Sequence, residues 1–434
     1  NLQCLMHLLK GNIGTGILAM PVAVKYAGLW TGFVGILVIG TIATHCMHVL
    51  VRCSHILCRR KSPADIDDVP FTMASNFSSQ PDRVSDETSA VTMGYSEVME
   101  TCLKTGPPYF KKFAKGARHF VNGMLLFTQF GFCCVYIVFI ATNVKQVLST
   151  LHTHDLDLRI YELIILVALI PYSLLRNLRA LAPFSAFANL LTLIGLVIIF
   201  QYITRDLHDP SRLPAFTSVS DVPLFFGTAI FAFEGISLVL PLENSVRNPE
   251  DFSGWTGVLN LGMVTVSCLY TGIGFFGYLR FGEEAQGSVT LNLPNDNWLY
   301  LSVKLMFAIA IFVSYGVQFY VPIKIIWPSI ERRLHNQRLK THGESAFRIV
   351  MVLVTAAFAL AIPHLDLLIA LIGALASSSL AIILPATIEF LTVVAEPERP
   401  SMVTVIKDVF LVLVGVIACV TGTYTALREI VEKF

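Results

Sequence analysis

Charge is scarce in this chain. Asp, Glu, Lys and Arg make up 14% of its 434 residues and hydrophobic residues 54%, against about 25% charged in an ordinary soluble domain. The shortage excludes a soluble enzyme carrying one anchor, because most of this surface must face lipid. Neither sign of charge dominates, since 31 basic and 30 acidic residues leave +1. No nucleic-acid partner is therefore expected. Cysteines are few and badly placed for a disulfide framework. Eight of the nine (Cys4, Cys46, Cys53, Cys58, Cys133, Cys134, Cys268 and Cys419) fall in or at the ends of apolar runs, and Cys102 lies in a polar loop. The adjacent Cys133 and Cys134 read as helix packing. There is no His-Glu-x-x-His motif and no Gly-x-Ser-x-Gly elbow. The chain is thus not expected to be an enzyme, and no catalytic residue, metal site or cofactor is assigned. No filter-like repeat points to a channel.

Long apolar runs are what the sequence has in abundance. A bilayer core about 30 Å thick needs a helix of about 20 apolar residues. Eleven stretches qualify: 2–28, 31–58, 119–148, 161–181, 183–204, 222–243, 255–279, 298–328, 346–363, 367–394 and 402–427. The expected fold class is an all-α polytopic membrane protein embedded in a lipid bilayer. Loop charge sets its orientation. Loops 59–118 and 329–348, with Arg176, Arg179, Arg247 and Arg399, hold eighteen Lys and Arg, and the opposite loops and C-terminus hold six. The N-terminus is therefore placed in the cytosol, and the C-terminus outside the cell or in an organelle lumen. The first run is already under way at Leu2, so a cytoplasmic tail is expected to precede it. No A-x-A-like cleavage site accompanies that run. Within loop 59–118, residues 61–92 are Ser-, Asp- and Pro-rich and read as flexible. Residues 93–118 read as partly helical, with a break at Gly106-Pro107-Pro108.

Two spans carry glycine where a membrane helix should be continuous. The first contains Gly11-Asn12-Ile13-Gly14-Thr15-Gly16, followed by Pro21. The sixth contains Phe231-Ala232-Phe233-Glu234-Gly235, followed by Pro241. Freed backbone groups at membrane depth are tolerated only where protein or water satisfies them. Interrupted segments in matching positions of two halves point to a transporter binding site. First and sixth spans become symmetry mates if residues 1–204 and 205–394 are inverted five-helix repeats, with 395–434 forming the last span. Unwinding exposes N–H groups at one helix end and C=O groups at another, which suit an anion and a cation respectively. A zwitterionic amino acid offers both charges a few ångströms apart. The expected site has amides around Ile13–Gly16 holding the carboxylate and carbonyls around Phe231–Phe233 holding the ammonium. Tyr136 and Phe231 or Phe233 would wall the pocket and limit side-chain size.

His7-Leu8-Leu9-Lys10-Gly11-Asn12-Ile13-Gly14-Thr15-Gly16 resembles the first helix of the proton-coupled amino acid transporters. These belong to the amino acid/auxin permease branch of the LeuT-type superfamily. Agreement continues, in order, at Gly131-Phe132-Cys133-Cys134-Val135-Tyr136, Arg176-Asn177-Leu178-Arg179-Ala180-Leu181 and Pro223–Phe231. It extends through Pro241-Leu242-Glu243-Asn244, Thr290-Leu291-Asn292-Leu293-Pro294 and Gln318-Phe319-Tyr320-Val321-Pro322. The resemblance implies eleven helices and symport of glycine, alanine or proline with a proton. It also implies residence in plasma or lysosomal membranes, in some members with nutrient signalling to a growth kinase complex. The loop between the third and fourth spans is short, and Leu293–Trp298 lacks the cysteine of vertebrate members, which fits an invertebrate origin. Alternatives are an amino acid sensor, a facilitative carrier and a sodium-coupled carrier, the last suggested by Ser314 alone.

Ionisable residues inside spans are functional candidates. His45 corresponds to a histidine to which the resemblance assigns the coupled proton, and imidazole titrates within the physiological range. Glu234, beside the sixth-span break, is the second proton-coupling candidate, or else a partner for the unwound backbone of the first span. His45, His48, Arg52 and His55 form a stripe at helical spacing without the carboxylates a metal site needs. Glu243 reads as an interfacial pair partner, and Lys304 has no assigned role. The sequon Asn76-Phe77-Ser78 lies in the loop placed in the cytosol. The protein expressed in eukaryotic cells should therefore show no glycosidase-sensitive mobility shift dependent on Asn76, and such a shift would reverse the topology.

Overall fold

The computed structural model describes residues 2–60, 93–151, 156–175, 178–244, 246, 249–334, 337–395 and 401–433. Among these every regular element is helical. That is what an apolar solvent demands, since a helix satisfies its backbone groups internally. Asn76, the stretch read as flexible (61–92), and Arg176, Asn177, Arg247 and Arg399 lie outside the described residues.

The chain opens with three short helices where the sequence suggests one span: α1 (Leu2–Asn12), α2 (Thr15–Leu18) and α3 (Met20–Ala27). Gly28 ends α3 with φ +93°, and a Cβ there would lie 2.7 Å from the Phe216 Cα. Then come α4 (Leu29–Arg60), α5 (Tyr95–Thr105), a 3-10 turn (Pro108–Phe113), α6 (Ala114–Leu151), α7 (Leu158–Ser173) and α8 (Leu178–Ile203). A second broken pair follows, α9 (Val222–Ala232) and α10 (Ile236–Glu243), with the short α11 (Pro249–Ser253) after it. The remaining helices are α12 (Val258–Phe281), α13 (Trp298–Glu331), α14 (Gln337–Ala361), α15 (Leu365–Ile372), α16 (Leu384–Val394) and α17 (Met402–Glu432). Between α15 and α16 the backbone widens into two π-helical turns, Gly373–Ser377 and Ser379–Ile383.

Among the described residues nine helical runs are long and apolar enough to cross a membrane, so the chain is a polytopic membrane protein. Two further expected spans miss that measure for visible reasons. The stretch 2–28 is interrupted after Asn12 and again at Ala19, and α7 has only 16 residues. The α7 carboxyl end is closed by Arg348, whose Nη1 donates to Ser173 O at 2.9 Å and Leu175 O at 3.3 Å. α13 packs along α6 and α8, and α12 along α3 and α4. α9 packs on the π-helical turns so closely that a Cβ on Gly373 would lie 1.8 Å from the Gly227 carbonyl oxygen. Apolar side chains on the outer faces, such as Leu193, Val197, Phe358, Ile417 and Val420, are exposed. In a bilayer they meet lipid.

The helical part of loop 59–118 is docked into the bundle. Tyr95, Val98, Met99 and Cys102 recur at helical spacing on α5 and are all buried. The Tyr95 hydroxyl donates to Leu380 O, in the second π turn, at 2.5 Å. Lys304 also finds its role. Its buried ammonium donates to Gln146 Oε1 at 2.8 Å, to Leu293 O at 3.0 Å and to the Asn295 side chain. It thereby ties the Thr290–Pro294 segment to α6 and α13.

Glu100 on α5 binds Arg118 at 2.8 Å and Lys104 at 3.0 Å. Burial pushes its carboxyl up, but the hydrogen bonds and charges of Lys104 and Arg118 outweigh this and hold it below the ordinary 4.5. With the folded value below the unfolded one, the stabilisation is fully present above about pH 4.5 and is lost as pH falls through the lower folded value. Amide exchange over 93–105 should therefore accelerate relative to α12 only below that pH. Unchanged relative protection at pH 3 would mean that the ion pairs do not hold α5.

Candidate functional site

The two helix breaks lie side by side. Gly14 takes an extended conformation (φ −139°, ψ −142°), so the chain leaves α1 after Asn12 and re-enters helix at Thr15. The second break turns tightly: the Glu234 amide donates to Phe231 O at 3.3 Å and the Gly235 amide to Phe233 O at 2.7 Å. Helix ends leave carbonyls without intrahelical partners. Here one phenol answers both, as the Tyr270 hydroxyl on α12 lies 2.5 Å from Asn12 O and 2.8 Å from Ala232 O. The Asn12 side-chain Nδ2 donates to Leu8 O at 2.9 Å. It rests on Gly235, where a Cβ would come within 2.6 Å of it. A Cβ on Gly16 would lie 2.6 Å from the Ala232 Cα, so the two backbones are in contact.

These contacts enclose a cavity of about 20 Å³. Gly11, Asn12, Gly14, Thr15 and Gly16 form one wall, and Phe231, Ala232 and Glu234 another. Phe132 and Tyr136 of α6 and Gln318 of α13 complete it. Such a volume admits about one water molecule, so an amino acid enters only if side chains move apart. Part of the wall is aromatic: Phe231 packs on Phe132 with ring centroids 4.8 Å apart, and Phe132 continues to Tyr136 at 6.3 Å.

Eight of the expected site residues thus line one cavity, and the others lie elsewhere. The Ile13 amide is spent on Leu9 O at 2.7 Å. The Phe233 ring packs against Tyr270, with centroids 4.9 Å apart. Gly235 backs Asn12, and His45 lines a separate groove. Glu234 is buried, and neither carboxyl oxygen has a hydrogen-bond partner. No amide of the first break reaches it. The Ser377 hydroxyl of the first π turn lies beside it. An ionised carboxylate alone in such surroundings is costly. It calls for a proton, or for a cation arriving in the cavity.

Sequence reasoning missed Phe132, Gln318, Ser377 and Tyr270. Phe132 and Gln318 do fall inside the quoted motifs, so position within a motif could have found them. Tyr270 is one aromatic in an apolar helix, and no local pattern marks it.

The basic stripe of α4 faces an open groove of about 470 Å³ lined by His45, His48, Arg52, His55 and Arg59, with Ser253 from α11. Its members are paired rather than arranged for a metal. His48 bonds Asn260 Oδ1 at 2.7 Å, and His55 bonds Glu243 at 2.7 Å. Arg52 bonds Glu389, and His45 Nε2 lies 3.0 Å from the Lys407 ammonium.

Membrane-length helices packed around two adjoining breaks, with a small polar cavity between them, define a polytopic membrane protein. The chain matches the family described as transmembrane amino acid transporter protein over residues 1–428, and it belongs to that family. It is 34% identical over 432 residues to the "Proton-coupled amino acid transporter-like protein pathetic" of Drosophila melanogaster. The match covers 100% of this chain and 85% of that protein. It is 26% identical over 443 residues to the "Probable amino acid transporter skat-1" of Caenorhabditis elegans, covering 100% of this chain and 90% of that one.

The two glycines of the first break should respond differently to a methyl group. Gly16→Ala forces the backbones of α2 and α9 apart and should cost about 1–3 kcal/mol, read as a lower melting temperature in detergent. Gly14→Ala meets only the Tyr136 hydroxyl, at 3.7 Å. It should melt normally and bind small amino acids more weakly. Equal melting of the two variants would mean that the backbones separate freely.

Proposed function

We propose that this protein is a secondary active transporter that carries small neutral amino acids of the glycine, alanine and proline type in symport with a proton. The observation that carries the reading is the small polar cavity between two unwound helix ends, with an unpartnered carboxyl on its wall. The substrate carboxylate would meet the amides at Gly14–Gly16, where α2 begins. The ammonium would meet Glu234 and the remaining lone pairs of the carbonyls at Phe231–Phe233, since each carbonyl oxygen has two. Phe132, Tyr136 and Phe231 would admit only short side chains.

We read the architecture as eleven membrane crossings in a LeuT-type five-plus-five inverted repeat with one added helix. The nine long runs supply most of these, and the broken 2–28 stretch and α7 supply the others. The N-terminus and α5 are assigned to the cytosol. The name of the Drosophila relative and the His45 position support proton coupling, with Glu234 as the second carrier. The protein belongs in a plasma or lysosomal membrane.

Purified protein in proteoliposomes should accumulate alanine or proline when an inward proton gradient is imposed. Uptake that ignores the gradient would make it a facilitative carrier, and uptake driven by sodium alone a sodium symporter. Binding without any flux would favour a sensor, a role that the docking of α5 against the second π turn would serve. His45→Ala should uncouple uptake from pH. An unchanged pH profile in that variant removes His45 from the coupling path.

A further inference from the structure

The His45 end of the basic stripe contains an ionic network that no sequence motif announces. Lys407, near the start of α17, reaches three groups at once. Its ammonium lies 2.5 Å from Glu389 Oε2, 3.1 Å from Asp408 Oδ1 and 3.0 Å from His45 Nε2. Arg52 binds the other oxygen of Glu389. The Glu389 and Asp408 side chains are almost wholly buried, at 4% and 1% exposure, while Lys407 is partly open at 31%. The charged and titratable groups around His45 are thus His48 and Arg52 on α4, Glu389 on α16, and Lys407 and Asp408 on α17.

An ammonium has three donors and no lone pair. At hydrogen-bond distance from Nε2 it can only donate, so Nε2 is the bare nitrogen and His45 is neutral, with its hydrogen on Nδ1. A proton cannot settle on Nε2 while that lone pair is occupied, because two N–H groups carrying like charge would then face each other at 3.0 Å. Lys407 has a second place to go. Neither Asp408 carboxyl oxygen makes a hydrogen bond, although Oδ1 is within reach. Glu389, anchored by Arg52, would keep the ammonium close to either acceptor.

We propose that Lys407 is a positioning residue that guards the proton-accepting nitrogen of His45, and that His45 takes its proton as the Lys407 ammonium shifts from Nε2 to the Asp408 carboxylate. The proposal rests on the reading of His45 as carrier of the coupled proton. In the step, the Lys407 Nζ–H···Nε2 hydrogen bond breaks and one between Nζ–H and an Asp408 oxygen forms. A proton from solvent in the groove bonds to Nε2, and Lys407 keeps all three of its own. Release reverses the exchange, with Lys407 returning to Nε2 as the proton leaves.

The test is nitrogen-15 NMR of histidine-labelled full-length protein in nanodiscs, with His45→Ala to assign the signal, beside uptake measured against pH. Lys407→Met removes the competing donor while Arg52 still holds Glu389. The His45 titration and the uptake midpoint should both move to higher pH by about one unit, a tenfold change in proton affinity. Asp408→Asn removes the negative charge that draws the ammonium away from Nε2 and should move both to lower pH. Lys407→Arg, which keeps a cationic donor, should leave the midpoints near those of the unmodified protein. Opposite shifts from neighbouring residues are not what a loosened fold produces. Unmoved titrations, or shifts of the same sign, overturn the proposal. Should Lys407→Met not fold, the acid shift of Asp408→Asn decides alone. If the NMR shifts appear but His45→Ala leaves proton-driven uptake unchanged, the guard stands and the coupling reading falls. If His45→Ala uncouples uptake and the shifts are absent, the coupling reading stands and the guard falls.

Discussion

A single hydroxyl decides how this bundle can be built. Breaking a helix inside a bilayer strands carbonyls that lipid cannot satisfy. Tyr270 offers one hydrogen to the last carbonyls of both α1 and α9, Asn12 O and Ala232 O. Because that hydrogen is shared, the two ends must stand together. The seating of Asn12 on Gly235 and the contact of Gly16 with Ala232 accompany this closeness. The cavity is what remains between two helix ends held by one phenol.

The same closeness requires missing side chains along the rest of α9. Gly227 lets the backbone of α9 meet the π-helical turns at Gly373, and the widened turns bring Ser377 beside Glu234. π-helical turns inside longer helices recur at functional sites, and these pack on α9 and take the Tyr95 hydroxyl. The breaks supply the polar groups of the cavity, and the rings of Phe132, Tyr136 and Phe231 line it. The ionic cluster at His45 is a separate polar centre, set in its own groove at the junction of α4, α16 and α17. Any coupling between cavity and cluster therefore passes through helix packing and not through shared side chains.

Much of this was legible in the chain. Helix limits follow from apolar run length because the bilayer fixes one thickness. Most helices begin and end within about five residues of the expected spans, while α7 stops at Ser173 instead of 181 and α14 starts at Gln337 instead of 346. Both breaks were marked by glycine, since few other residues permit the close approach that Gly16 makes to the Ala232 backbone and Gly235 to the Asn12 side chain. Facing was less legible. Ile13, Phe233 and Gly235 were expected at the site because they sit beside the breaks. Helix phase turns the Phe233 ring onto Tyr270 and spends the Ile13 amide on α1. Glu234 was expected either to carry the proton or to take hydrogen bonds from the first break, and its oxygens take none from there. The stripe at His45 was visible as a periodicity, but its partners were not. Asn260, Glu389 and Lys407 are hundreds of residues away, in spans where a lone polar residue has no pattern to join.

The sequence by itself determined what depends on local composition: a helical membrane protein, the positions of its spans, and the two places where helix must fail. The family resemblance was likewise carried by short contiguous motifs. Only the tertiary structure decided that one tyrosine serves both breaks, that Glu234 is left unpaired, and that His45 faces an ammonium. Those facts depend on the rotation and depth of whole helices relative to one another. Many side chains set these jointly through close packing, and no single stretch of sequence records the result.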